Sequence, residues 1–237
     1  MHYIKFRFVS SRCFVISTTD KIRVRGRPRR FDPDEAVATA QQLFHAQGYD
    51  AVSVADVTAA LGINPPSFYA AFGSKAGLYA RVLDRYSAIS AIPLSELLRD
   101  DRPVAACLAG LLEAAARAYA ADPVARGCLV VEGTRSNDRD AREAACTLGH
   151  AAEAVIRAYI AARHPQDAER LTDFVSTTMS GLSAKARSGH GLDRLLATAR
   201  LAGLGLAQAL PGENCASDVS VLRGGREITD AVGGVGV

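Results

Sequence analysis

From residue 33 to residue 210 the apolar side chains recur three and four positions apart, and nowhere do they alternate over the length of a strand. Capping residues, glycines and prolines cut this pattern into pieces of helical length. Ala and Leu carry most of it. Aromatic residues make up 6% and Trp is absent, a mix that favours helix over strand. The fold class is therefore all-α. With 237 residues, 49% of them hydrophobic and 22% charged, the chain can bury a sizeable core. No apolar run reaches the roughly 18 residues that a membrane span requires.

The first pieces are short and sharply bounded. In Asp32-Pro33-Asp34-Glu35, Asp32 can cap a helix, Pro33 suits its first position, and Glu35 stands three residues after the cap. That helix turns Val37, Ala40, Leu43 and Phe44 to one side and stops at Gly48. Ser53-Val54-Ala55-Asp56 is a second capping box, opening a short helix with Val54, Val57 and Leu61 inward. Gly62 can take the left-handed conformation of a tight turn. Asn64-Pro65 opens a third helix carrying Phe68, Tyr69 and Phe72. Gly73-Ser74 ends it and caps a fourth, with Leu78, Val82, Leu83 and Tyr86. Phe44, Phe68 and Phe72 are assigned to the core. Further helices are expected over 103–121, 139–163, 167–187 and 192–210, and Gly127 to Gly133 is a short apolar piece of undetermined type.

Charge and cysteine usage narrow the function classes. Residues 1–86 hold twelve Lys/Arg against seven Asp/Glu, while residues 87–237 hold sixteen against eighteen. A basic first third on a mildly acidic body suits contact with a polyanion, although a solvated basic arm has the same composition. The five cysteines, Cys13, Cys107, Cys128, Cys146 and Cys215, are odd in number and scattered, which points to reduced thiols in the cytoplasm. Cys128 reads as a buried thiol sooner than a redox sensor. Neither the cysteines nor His45, His150, His164 and His190 show a metal-ligand spacing, so no metal or cofactor is expected.

Two short helices around a glycine turn are the unit that places a second helix in the major groove, but an αα-hairpin of any helical protein has the same spacing. The residues themselves say more. Arg-Gly-Arg-Pro-Arg at 25–29, Phe44 with Gly48-Tyr49, Ser53-Val54-Ala55-Asp56-Val57, Leu61-Gly62-Ile63, Ser67-Phe68-Tyr69-Ala70-Ala71-Phe72 and Ser74-Lys75-Ala76-Gly77-Leu78 follow in one register. This series resembles the DNA-binding domain of the tetracycline-repressor (TetR/AcrR-like) family over about residues 25–86. The rest of the chain matches only in length, helicity and a pair of apolar C-terminal helices.

The resemblance implies a homodimer with a variable ligand-binding body, usually a repressor released from operator DNA by a small-molecule effector. The expected domains are a disordered N-terminal extension at 1–24, a helix-turn-helix DNA-binding domain at 25–86, a helical ligand-binding and dimerisation domain at 87–211, and a disordered tail at 212–237. An over-early start codon would account for residues 1–22. Asn64, Pro65, Pro66 and Ser67 fall at the end of the third helix expected to face base edges. Asn64 and Ser67 alone among them can form side-chain hydrogen bonds, while the prolines can touch thymine methyls. Ser53 caps the second helix and can also receive a phosphate. Tyr69 and Lys75 match the family's phosphate-contacting tyrosine and lysine. Arg25, Arg27 and Arg29 form either a minor-groove arm or a non-specific phosphate clamp. The alternative is that Ser53 and Asn64 are caps alone and that Tyr69 is a half-buried aromatic.

By the same resemblance, the helices at 167–187 and 192–210 pair with their symmetry mates, with Gly181, Ala184, Gly203 and Ala207 allowing close approach. The alternative is that both apolar stripes fill the monomer's own core. A ligand cavity is expected among the helices at 103–121, 139–163 and 167–187, with Leu112, Tyr119, Phe174, Thr178 and Met179 as candidates. Two other classes compete. An enzyme would need a phosphate loop, a nucleophile elbow or a metal-binding His pair, and none is found. A constitutive DNA-binding protein would share the N-terminal helices but need no cavity.

Overall fold

The structure is a computed structural model that describes residues 32–211. Among the described residues ten helices follow one another: α1 (Pro33–Gln47), α2 (Val54–Leu61), α3 (Pro65–Phe72), α4 (Lys75–Ile89), α5 (Leu94–Leu97), α6 (Val104–Ala120), α7 (Leu129–Gly133), α8 (Arg139–Ala161), α9 (Ala168–Arg187) and α10 (Leu192–Ala209). The extension at 1–24, the tail at 212–237 and the arginines at 25, 27 and 29 lie outside the described residues.

Local chemistry sets the boundaries. Asp32 caps α1 by accepting from the Asp34 amide at 2.9 Å, one residue short of Glu35. Ser53 and Asp56 form the full reciprocal box at the start of α2: Ser53 Oγ accepts from the Asp56 amide at 3.1 Å, and Asp56 accepts from the Ser53 amide at 2.8 Å. The Ser53 hydroxyl also donates to the Asp56 carboxylate at 2.6 Å, and this bond, with that from the Ser53 amide, holds the carboxyl below its ordinary pKa. Asn64, Ser74 and Asp138 cap α3, α4 and α8 in the same way. The undetermined piece at 127–133 supplies α7, a little over one helical turn. The short α5 carried no periodic signal, since four residues span hardly more than one turn.

Two apolar clusters organise the packing. In the first, α6 lies between α9 and α10, with Leu108, Leu111 and Leu112 against Val175, Leu182, Leu195 and Leu206, and with Ile156 and Ile160 of α8 joining them. In the second, α1 to α4 enclose Phe44, Val57, Phe68, Phe72 and Leu78. Phe44 lies parallel to the Tyr49 ring at 5.6 Å and meets the edge of Tyr79 at 5.2 Å.

The second cluster does not close on itself. Leu129 of α7 and Ala141 and Ala145 of α8 are part of it. Polar ties repeat that connection. The Tyr49 hydroxyl donates to Asp138 at 2.9 Å. The Asp50 carboxylate accepts from the Ser136 hydroxyl and from the backbone and side chain of Asn137. The Tyr79 hydroxyl donates to the Leu129 carbonyl at 3.3 Å. The N-terminal helices are thus seated on α7 and the start of α8 by both apolar and polar contacts.

Candidate nucleic-acid interface

The interface is built around Gly62. Its backbone is left-handed, at φ 61° and ψ 32°, and its amide and that of Ile63 close the last turn of α2. The chain then reverses into α3 within two residues. On α3 the inner face is fixed by Phe68, fully buried, and Phe72, whose rings meet at 5.5 Å. The outer face is open: Asn64, Pro65 and Pro66 are exposed, and Tyr69 keeps 51% of its surface.

The polar groups on that face are divided between structure and free valence. Asn64 Oδ1 accepts from the Ser67 amide at 2.9 Å, which caps the helix and leaves the Asn64 amide NH2 directed away from that bond. The half-buried Ser67 hydroxyl makes no hydrogen bond among the described residues. Pro65 and Pro66 occupy the first two helical positions, where no amide partner is lost. The result is a helix held from within, with a rigid N-terminal half facing solvent.

Lys75 opens α4 behind this helix, half-buried, with its ammonium 4.0 Å from the centre of the Tyr49 ring. Burial lowers its pKa, and the carboxylates of Asp50 and Asp138 oppose that shift. The lysine is thereby held close to the Tyr49–Asp138 tie. No sequence signal could place Lys75 over Tyr49, because the pair is set by how α1 and α4 cross.

A cavity of about 380 Å³ opens elsewhere, between the end of α4, α7, α8 and α9. Tyr119 and Met179 line it, but Leu112, Phe174 and Thr178 do not. Leu112 is sealed in the first cluster. Phe174 is 41% exposed, and the Thr178 hydroxyl bonds back to its carbonyl. On α9 the buried line runs through Leu171, Val175, Leu182 and Ala186. Phe174 and Thr178 stand three and seven residues from Leu171, at the edge of the same apolar stripe, so the period alone does not separate them. Among the wall residues that are not sequence candidates, Cys128 and Val130 come from the piece left without a type, Tyr86 from the fourth helix of the head, and Val155 from the helix expected over 139–163.

Two capped short helices, a left-handed glycine between them, and a second helix whose N-terminal half is open make a helix-turn-helix. That is the reading head of a DNA-binding regulator. Residues 36–82 match the sequence profile described as "Bacterial regulatory proteins, tetR family". The HTH-type transcriptional repressor BdcR of Escherichia coli (strain K12) is 58% identical over 186 residues, which are 78% of this chain and 94% of that protein. The HTH-type transcriptional repressor ComR of the same strain is 32% identical over 183 residues, 73% of this chain and 87% of that one. A cysteine variant of the TetR family transcriptional regulator CifR, solved with 26 base pairs of double-strand operator DNA, superposes with a TM-score of 0.67. It is 32% identical and covers 75% of this chain and 98% of that one. The chain belongs to the tetR family of bacterial regulatory proteins. It is a DNA-binding transcription regulator, not an enzyme, and no described helix is long and apolar enough to cross a membrane.

Proposed function

We propose that this protein is a cytoplasmic repressor that binds operator DNA as a homodimer and leaves it when a small molecule fills the cavity. The observation that carries the reading is the open N-terminal half of α3 on a locked inner face. Asn64 and Ser67 offer hydrogen bonds to base edges, Pro65 and Pro66 offer apolar contact to thymine methyls, and few polar contacts leave a share of specificity to DNA shape. Ser53, Tyr69 and Lys75 hold the phosphate backbone, and Arg25, Arg27 and Arg29 add an arm on the same polyanion. The head corresponds to residues 25–86 and the effector and dimer body to residues 87–211.

The dimer face is α9 with α10. Leu201 and Leu204 of α10 each keep 70% of their surface, and Phe174 of α9 is also exposed. Gly181 has open space above it, whereas Gly203 is buried against Ala109 of α6 within its own chain. Close approach between copies therefore falls to the outer faces of the two helices.

The cavity supports the ligand-responsive reading over constitutive binding, and its walls reach the head. Tyr86 and Ser87 belong to α4, the last helix of the head. Cys128 follows Gly127, whose carbonyl meets the His45 ring at 3.1 Å. Arg187 of α9 donates to the carbonyls of His45 and Arg126 and pairs with Glu132 at 3.3 Å. A ligand that prefers one setting of this strap shifts the population of head positions by its differential affinity.

Selection of bound duplexes from a random pool at near-physiological salt is expected to return a palindrome with two half-sites. No motif from a folded protein would overturn the reading. Lys75→Ala is expected to weaken all sequences alike and to lower the slope of log affinity against log salt by roughly 1 per head. An unchanged slope measured by fluorescence anisotropy would reject its phosphate role.

A further inference from the structure

The buried end of the cavity holds an uncommon pairing of donors and acceptor. Tyr86 from α4 directs its hydroxyl at Cys128 Sγ at 3.8 Å, and Tyr119 from α6 lines the same cavity. Both rings are buried, Tyr119 with 2% of its surface left. Burial, reinforced by the nearby thiol, pushes both phenols well above their ordinary pKa, so each keeps its proton and remains a donor. The Tyr86 proton is left on a thiol, which is a weak acceptor. Two buried phenols at one cavity wall, one of them bound to a thiol, would gain from an oxygen acceptor.

The remaining wall is largely apolar, with Ile92, Val130 and Leu148 beside Ser87, Ser176 and Ser180, and among the described residues no Lys, Arg or His lines it. Its charged lining residue is Glu153, on a stretch of α8 where Ala152 and Val155 are exposed. An anion would meet no cation in this space and would face that carboxylate. An uncharged apolar body fits the wall, and a single acceptor atom fits the two hydroxyls.

We infer that the cavity takes an uncharged, largely apolar molecule with one hydrogen-bond acceptor, of which a ketone carbonyl is the simplest, and that Tyr119 and Tyr86 donate to that oxygen, Tyr86 exchanging Cys128 for it. The inference rests on the reading of this cavity as the effector site. Ligand entry exchanges the weak Tyr86 O–H···S contact for an O–H···O bond, and the thiol next to Gly127 loses that donor. The ligand class and the strap from the cavity to the head thus share one residue position.

The test uses four probes of one shape on the full chain, free of DNA: 2-acetylnaphthalene, its alkene isostere 2-isopropenylnaphthalene, 2-naphthoate and 2-naphthylmethylammonium. Calorimetry is expected to show the ketone binding about tenfold tighter than the alkene, with the two ions weaker than either. Tyr119→Phe, which keeps the ring, is expected to remove most of the ketone's advantage and leave alkene binding unchanged. Equal binding of ketone and alkene, tighter binding of either ion, no binding of any probe, or an equal loss of both neutral probes in Tyr119→Phe would each overturn the ligand class. Operator release is read separately. A ketone that binds as described but leaves operator occupancy unchanged upholds the ligand class and defeats the proposed release.

Discussion

Replacing Phe44 by Ala is expected to cost about 3–5 kcal/mol of stability, the range for emptying a large aromatic site in a closed core. Phe44 is fully buried and touches the two tyrosines through which the head is tied to the rest of the protein. Tyr49 and Tyr79 themselves meet at 4.8 Å, so removing Phe44 takes away one corner of a three-ring group. Neither neighbour can move in to fill the gap freely. The Tyr49 hydroxyl is bound to Asp138, which also caps α8, and the Tyr79 hydroxyl is bound to the Leu129 carbonyl. Collapse would break one of these bonds, so the cavity is expected to stay open and the loss to fall in the upper part of the range. Denaturant unfolding followed by circular dichroism measures it. Because Leu129, Ala141 and Ala145 share this cluster, the head and the helices beneath it are expected to melt in one transition. A loss below about 1.5 kcal/mol would mean that the rings do relax.

The helices were legible because their boundaries are written in local chemistry. Asp32, Ser53, Asn64 and Ser74 each cap the helix that their position in the sequence implies. Gly62 turns where a left-handed residue is needed, and Phe44, Phe68 and Phe72 are buried as their spacing requires. The open face of α3 follows only in part from the same period: Asn64, Pro65 and Pro66 are open because they form the start of the helix, and Tyr69 stands at the edge of the face that Phe68 and Phe72 bury. What was not legible depends on contacts between distant segments. Phe174 and Thr178 sit beside the buried line of α9, and only the packing of α6 and α8 decides which side of that line is inward. The cavity lies nearer the head than expected because α7, a single short turn without its own period, forms part of its wall. Gly203 was assigned to an interface between copies, but a small residue permits close approach to any neighbour, and here the neighbour is Ala109. The strap of His45, Gly127 and Arg187 joins residues up to 142 positions apart, and no short-range pattern announces it.

Gly127→Ala is the substitution expected to act on that strap most directly. Gly127 has φ 81°, a backbone region that costs an L-residue roughly 1–2 kcal/mol. A Cβ there would also stand 2.8 Å from Arg187 Cγ, 2.9 Å from Ser183 Oγ and 3.1 Å from the Ser183 carbonyl oxygen. Arg187 cannot swing aside without loss, because its guanidinium holds the carbonyls of His45 and Arg126 and the carboxylate of Glu132. Ser183 Oγ is likewise engaged, accepting from the Cys128 amide at 2.9 Å. The overpacking adds about 1–3 kcal/mol to the backbone strain. Gly62→Ala separates the two causes. Its φ of 61° is also left-handed, but nothing lies within 4 Å of its added Cβ, so it is expected to cost the backbone share alone. At roughly 2–4 °C per kcal/mol for a chain of this size, Gly127→Ala should melt about 4–20 °C lower than the parent and Gly62→Ala about 2–8 °C lower. The binding consequences should divide differently. Gly62→Ala disturbs the turn that aims α3 and is expected to weaken operator binding with or without a ligand. Gly127→Ala leaves α2 and α3 untouched but shifts the loop between cavity and head, so operator affinity should change less than its sensitivity to ligand. Equal melting losses in the two variants would show that the Arg187 side of the strap yields easily, and a strap that yields easily would not carry a signal from Cys128 to α1.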